Sequence, residues 1–254
     1  MNNTKKKSPI SWVPTAYFAM GLPFVVLNMV TVLMFKGLEV DDKLITFWTS
    51  LILLPWTLKP LWSPFLELFR TKKFFVIVTQ LITGITFGLV AFALNLSHFF
   101  SISIALLAIV AFSGATHDIA CDGVYMSELS NEDQARFIGW QGAFYNIAKI
   151  LATGGLVYLA GYFIELNADA GLLTANKRAW MIILLILSVT MILLGIYHLF
   201  ALPSTQSASS RKTLRSNKEV MKELGQVLMD FFRKTHITYY ICFIILYRFA
   251  EGFV

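Results

Sequence analysis

The chain is poor in charge: of 254 residues only 14% are Asp, Glu, Lys or Arg, whereas 57% are hydrophobic, with 22 Phe among them. A soluble globular domain carries about 25% charged residues, so this composition excludes one, as does the mean hydropathy of +0.66. Cysteine is almost missing as well. Cys121 and Cys242 stand alone, without disulfide or metal-ligand spacing, which leaves neither a stapled secreted scaffold nor a Cys-rich metal site. Both read as buried thiols. The sequence also holds no glycine-rich nucleotide loop, no catalytic triad and no metal cluster, so the reading carries no cofactor, no metal and no enzyme activity.

What is there is hydrocarbon in long pieces. Six runs, at about 12–35, 44–66, 74–96, 101–122, 137–164 and 179–202, are each long enough to cross ~30 Å of bilayer, which takes roughly 20 helical residues. A seventh opens at Ile237. The runs are continuous rather than alternating, so helices, not barrel strands, are the spanning form. The fold class is all-α: a polytopic six-helix transmembrane bundle with a partial seventh helix. Lys5, Lys6 and Lys7 precede the first run, but that run is too long for a secretory signal and lacks a small-residue cleavage site.

Basic residues orient the spans. Fourteen of the 21 Lys and Arg fall in the N-terminal tail and the even-numbered connections, and four, Lys36, Lys43, Lys177 and Arg178, in the odd ones. The positive-inside rule puts the N-terminus in the cytoplasm. The net charge of +6 is then a topology signal and a contact with membrane lipid headgroups, not a nucleic-acid footprint.

The remaining basic residues, Lys59, Lys149 and Arg248, fall inside spans, as do Asp118, Asp122 and Glu251. Charges in the bilayer are costly and read as functional and mutually paired. With ~1.5 Å rise per residue, Lys149 and Arg248 lie roughly 17 Å deep, near the midplane. Gln141, Tyr145 and Lys149 recur every four residues and share a face, a polar stripe that needs water, a ligand or a partner helix. Lys149, Arg248, Tyr145 and Gln141 are therefore the candidate substrate-binding residues for an anionic group. A snorkelled, structural Lys149 is the plain alternative.

Asp118 and Asp122, one turn apart at the inner end of the fourth run, lie towards the cytoplasm, with Lys59 in the same half. Facing Arg70, Lys72, Lys73 or Arg136, they serve either as an inner gate or in proton coupling. His117 points about 100° away from Asp118 and reads as a structural hydrogen-bonding residue. Gly154, Gly155 and Gly161 read as sites of close helix approach.

After the sixth span, Pro203 and a Ser/Thr-rich stretch lead to a capping-box pair, Ser216 and Glu219. An amphipathic helix follows, with Val220, Leu224, Val227, Leu228 and Phe231 on one face, lying on the membrane surface or standing free as a linker. The expected organisation is a bundle over residues 1–202, a linker over 203–236 and the start of a second bundle over 237–254.

Six spans, a long basic connection and a new span is the pattern of the major facilitator superfamily. Within it the chain resembles the AmpG-type muropeptide permeases. The likeness lies in Gly21–Leu22–Pro23, in Leu58–Lys59–Pro60–Leu61–Trp62–Ser63–Pro64 and in Ser113–Gly114–Ala115–Thr116–His117–Asp118–Ile119–Ala120–Cys121–Asp122. It continues through Arg136, Gly154–Gly155, Leu246–Tyr247–Arg248 and Glu251. The resemblance implies proton-driven uptake of anhydro-muramyl glycopeptides across the bacterial inner membrane, with the proton and an anionic glycopeptide as partners. Acetyl-CoA transporters resemble this branch too, so acetyl-CoA or a sugar is an alternative substrate.

The connection after the second span lacks the glycine-rich form common in the superfamily, leaving Glu67, Arg70, Lys72 and Lys73 as its equivalents. A complete transporter of this kind carries about a dozen spans, so the chain reads as a truncated half that needs the missing C-terminal half to transport. A reading of another class is a membrane-embedded, metal-dependent phospholipid transferase, suggested by Asp118, Asp122 and Gly123.

Overall fold

The computed structural model describes residues 7–63, 66, 71–203, 226, 229, 233–240, 242 and 243. The chain divides into two compact units, residues 1–208 and 209–254. The first contains six helices long and apolar enough to cross a membrane: α1 (Pro9–Gly37), α2 (Asp42–Leu61), α3 (Lys72–Ala93), α4 (Phe99–Glu128), α5 (Asn131–Leu166) and α6 (Leu172–Ala201). No strand occurs among the described residues. The chain is thus a helical membrane protein.

Turn chemistry marks the helix starts. Asp41 caps α2 by accepting from the Lys43 and Leu44 amides at 2.9 and 3.3 Å, Thr71 caps α3 through the Phe74 amide, and Ser130 caps α5 through the Asp133 amide. Each side chain satisfies an amide that a helix end leaves without a partner. Gly171, at φ 84°, enters α6 in a conformation that side-chain-bearing residues rarely adopt.

The spans depart from the expected limits in two informative places. α4 runs on to Glu128, six residues past Asp122. Asp118 and Asp122 therefore lie ~15 and ~9 Å from its end, not at its tip. α2 is not one helix: an α segment ends at Ile52, another covers Leu54–Leu58, and a 3-10 turn Lys59–Leu61 closes it. Pro55 and Pro60 have no amide hydrogen and their rings crowd the preceding turn, so the rod breaks where it must aim Trp56 and Lys59 inward.

α1 is the spine. Two-thirds of its spanning window is buried, against 17% for α2 and for α5. One core cluster gathers Leu22, Val26 and Phe35 of α1 with Phe87, Leu107, Val110, Ile183 and Leu187. A second, at the end carrying the N-terminus, holds Trp12, Val13, Val76, Cys121, Val124, Phe137 and Leu202. Lys7 and Lys73 donate to the Phe200 and Leu202 carbonyls there, at 2.7 and 2.8 Å.

Close helix contacts use other glycines than expected. A Cβ on Gly84 would lie 2.7 Å from Ile192 and 2.9 Å from the Ser188 carbonyl, and one on Gly195 would lie 3.0 Å from Leu81, so α3 and α6 touch backbone to side chain. Gly21 admits Tyr145 and Ala148 of α5 in the same way. Gly154 and Gly161 have nothing within 4 Å, and Gly155 meets only Leu151 of its own turn. Those three belong to the open face of α5.

Of the second unit, Gln226 and Met229 are helical and exposed, and Ile237–Tyr240, Cys242 and Phe243 are helical. Cys242 is exposed, against the expectation of two buried thiols; Cys121 is buried. The rest of the expected amphipathic helix lies outside the described residues.

Candidate functional site

The site grows from the polar side of α4, where successive residues meet three other helices. The Ser113 hydroxyl donates to the Thr79 carbonyl at 2.8 Å and accepts from Thr83 of α3 at 3.1 Å. Gly114 leaves room for the Trp56 ring, whose nearest atoms lie 2.9 and 3.0 Å from where a Cβ would stand. That ring packs edge-on against Phe24 of α1.

Seated so, the Trp56 Nε1–H donates to Asp118 Oδ2 at 2.9 Å, and Lys59 Nζ donates to the same oxygen at 2.7 Å. The Asp118 side chain is 10% exposed and that of Lys59 30%, so this is a largely buried ion pair. Asp118 Oδ1 is buried without a hydrogen-bond partner among the described residues. Two donors on one oxygen and none on the other leave Oδ1 as the place where a proton would bind with least rearrangement.

One turn on, Asp122 Oδ1 accepts from the Tyr17 hydroxyl of α1 at 2.8 Å, and Gln141 of α5 donates to that same hydroxyl. The chain Asp122–Tyr17–Gln141 links α4, α1 and α5. Gln141 is thus part of the site, and Tyr145 stands one turn above it against Gly21. Gly123 leaves space for the Lys72 side chain, whose Cδ would lie 2.7 Å from an added Cβ.

Not every expected partner joins. Lys149 is exposed, and its ammonium has no ion pair among the described residues, where Lys59 with Asp118 is the pair of the expected intramembrane set that forms. Arg136 is exposed too, with its guanidinium 5.8 Å from the Phe137 ring rather than on the Asp pair. Both basic groups sit on α5, which turns most of its surface outward. Among the described residues the Asp pair meets Lys59, Trp56 and Tyr17 rather than Arg136. Glu67, Arg70, Arg248 and Glu251 lie outside the described residues.

A second buried network runs from α1 to α4. The Thr15 hydroxyl lies 2.9 Å from His198 Nε2, His198 Nδ1 lies 2.9 Å from Gln80 Oε1, and Gln80 Nε2 lies 3.0 Å from His117 Nε2. His117 and His198 are 2% and 0% exposed. His117 thus has the hydrogen bond expected of it. His198 and Gln80 were not apparent from the sequence: the one clue was a polar residue at mid-depth in the third run.

Clefts indent the first unit, three of them lined by described residues. One of about 340 Å³ lies between α2 and α4, bounded by Trp48, Ile52 and Ile104; one of about 530 Å³ lies on α3 and α4, around Phe74, Ile82 and Phe112. A smaller one of about 140 Å³ opens beside Lys7, Glu128 and Asp133. None of the three includes Asp118 or Lys149. The described residues contain no group of three or more His, Cys, Asp or Glu placed to hold a metal ion. Asp118 and Asp122 face separate partners, Lys59 and Tyr17, which is not the convergence a shared cation needs.

No protein-family model matches the chain, and no curated protein matches it.

Proposed function

We propose that the six-helix unit is half of a secondary active transporter that moves an anionic solute with a proton, across the bacterial inner membrane and with its N-terminus in the cytoplasm. The observation that carries this reading is the largely buried Lys59–Asp118 pair in a membrane span, with one carboxylate oxygen accepting two hydrogen bonds and the other accepting none among the described residues. An intramembrane ion pair that does no more than hold helices together is an expensive solution. One that gains and loses a proton changes the local charge by one unit and alters how α2 grips α4.

In this reading, a proton arriving at Asp118 Oδ1 neutralises the carboxylate and weakens its hold on Lys59. Asp122, Tyr17 and Gln141 carry the change to α1 and α5. Lys149, on the open side of α5, supplies the positive charge that an anionic solute needs. The likeness to muropeptide permeases favours an anhydro-muramyl glycopeptide, and a second six-helix unit completes the site.

The test is flux in proteoliposomes holding the complete gene product. An imposed pH gradient should drive accumulation of labelled anhydro-muramyl tripeptide. Asp118→Asn should abolish the gradient's effect yet keep solute exchange. Flux indifferent to the gradient in the unaltered protein would end the proton-coupled reading.

A further inference from the structure

The cleft on α3 and α4 plays no part in the site around Asp118, yet its chemistry is specific. It holds about 530 Å³, and Phe74, Ile82, Ile109 and Phe112 stand exposed along it. Trp62 of α2 stacks on Phe112, with ring centroids 4.8 Å apart. The polar residues of the wall are already engaged. The Thr79, Ser113 and Thr116 hydroxyls donate to the Phe75, Thr79 and Phe112 carbonyls at 2.7, 2.8 and 2.8 Å. A polar solute therefore finds no spare proton in these three, and the rest of the wall is hydrocarbon.

Shape narrows the occupant further. Phe74 to Ile82 is eight residues, ~12 Å along α3 at ~1.5 Å per residue, close to the ~15 Å depth of one leaflet of a ~30 Å hydrocarbon core. The cleft follows the spans, and so runs the way acyl chains run. Large side chains line it, whereas a helix that packs closely in a membrane seats itself on small ones. A helix with its side chains is also ~10–12 Å across, too wide for a furrow between two helices already in contact. An extended hydrocarbon chain is not.

The mouth of the cleft is positive. Ile109, Thr116 and Gly123 follow one another at seven residues, nearly two turns, and so share a face of α4. Gly123 lies ~10 Å beyond Thr116, towards the end that carries the N-terminus. There the Lys72 side chain crosses it, with Nζ 3.4 Å from where a Cβ would stand. The first turn of α3 thus sets an ammonium on the line of the cleft, two residues before Phe74. We propose that the cleft binds an anionic phospholipid of the leaflet on the side of the N-terminus, with one acyl chain between α3 and α4 and the headgroup phosphate on Lys72. The site is separate from the Lys59–Asp118 pair and stands whether or not the chain transports a solute.

The test is native mass spectrometry of the delipidated chain in detergent, offered equal amounts of dioleoyl phosphatidylglycerol and dioleoyl phosphatidylcholine. Phosphatidylglycerol should be retained in about fivefold preference, equivalent to the ~1 kcal/mol that one lysine contributes near an anionic surface. Lys72→Gln should remove the preference while lipid uptake persists. Val78→Phe, which fills the cleft, should lower uptake of both lipids, with helical circular dichroism confirming that each variant folds. On the unaltered protein, a phosphatidylglycerol carrying a diazirine in mid-chain should label peptides covering 74–82 and 108–116 above those covering 44–54 of α2. Equal retention of the two lipids by the unaltered protein, a preference that survives Lys72→Gln, or labelling no greater at the cleft than on α2 would each overturn the assignment. A dimer that Val78→Phe dissociates would put a second copy in the cleft and overturn it equally.

Discussion

Asp118 and Lys59 lend themselves to a double-mutant cycle, because each can be replaced by an uncharged residue of similar length. Losing one member of a buried ion pair costs roughly 3–5 kcal/mol where the other stays charged and dry. Here the value is smaller. Lys59 keeps 30% of its side chain exposed, and Asp118 without Lys59 keeps the Trp56 bond and can take up a proton. Lys59→Met and Asp118→Asn should each cost about 2 kcal/mol, and the double variant no more than either, giving a coupling of at least about 2 kcal/mol. Polar pairs between membrane helices average only ~0.6 kcal/mol in such cycles, so charge should make this one stand out. The assay is reversible unfolding in mixed micelles, followed by helical circular dichroism. A coupling under about 0.5 kcal/mol would mean that the two side chains act independently, and the site would lose its central element.

The packing makes further predictions. Gly114→Ala pushes a methyl to within 3.0 Å of Trp56 and should cost about 1–3 kcal/mol by overpacking; Gly154→Ala, with open space around it, should cost nothing, and equal losses in the unfolding midpoint would refute the contrast. Gln80→Leu strips partners from His117 and His198 and should cost about 1–3 kcal/mol for each imidazole left unsatisfied, read by the same unfolding assay; no change would show that the network bears no stability. A membrane-permeant maleimide should label Cys242 in the folded protein and Cys121 only after denaturation, as peptide mass spectrometry would show.

How far the sequence could be read depended on what kind of rule was at work. The six spans were legible because hydrocarbon thickness sets a length that composition alone reveals. The expense of intramembrane charge led to Lys59, Asp118 and Asp122, and one pair, Lys59 with Asp118, forms. Partner choice was not legible. Tyr17, Trp56 and His198 are 105, 62 and 118 residues from the groups they bind, Asp122, Asp118 and Gln80, and no local pattern encodes such a distance. The glycines failed for the same reason: a small residue permits contact, but only the fold says on which face, so Gly84 and Gly195 meet a neighbour while Gly154 and Gly161 do not. The π-turns at Val26–Val30 of α1 and Leu151–Leu156 of α5 were invisible because an inserted residue leaves the hydrophobic composition unchanged.

α2 and α5 bury the least of their spanning windows, yet they differ in what they expose. α2 shows Leu44, Phe47, Trp48, Leu51 and Leu54, a surface that lipid alone would satisfy. α5 shows Gly142, Asn146, Lys149 and Gly154 in the middle of its length. Lipid does not solvate an ammonium or an amide, so that face of α5 meets water, solute or protein. Spin labels introduced at residues 146 and 154 should therefore report higher water accessibility than labels at 47 and 51, measured in bilayers by contrast between a polar relaxation agent and oxygen. Equal, lipid-like accessibility at all four positions would put Lys149 in hydrocarbon and remove the basis for a solute path along α5.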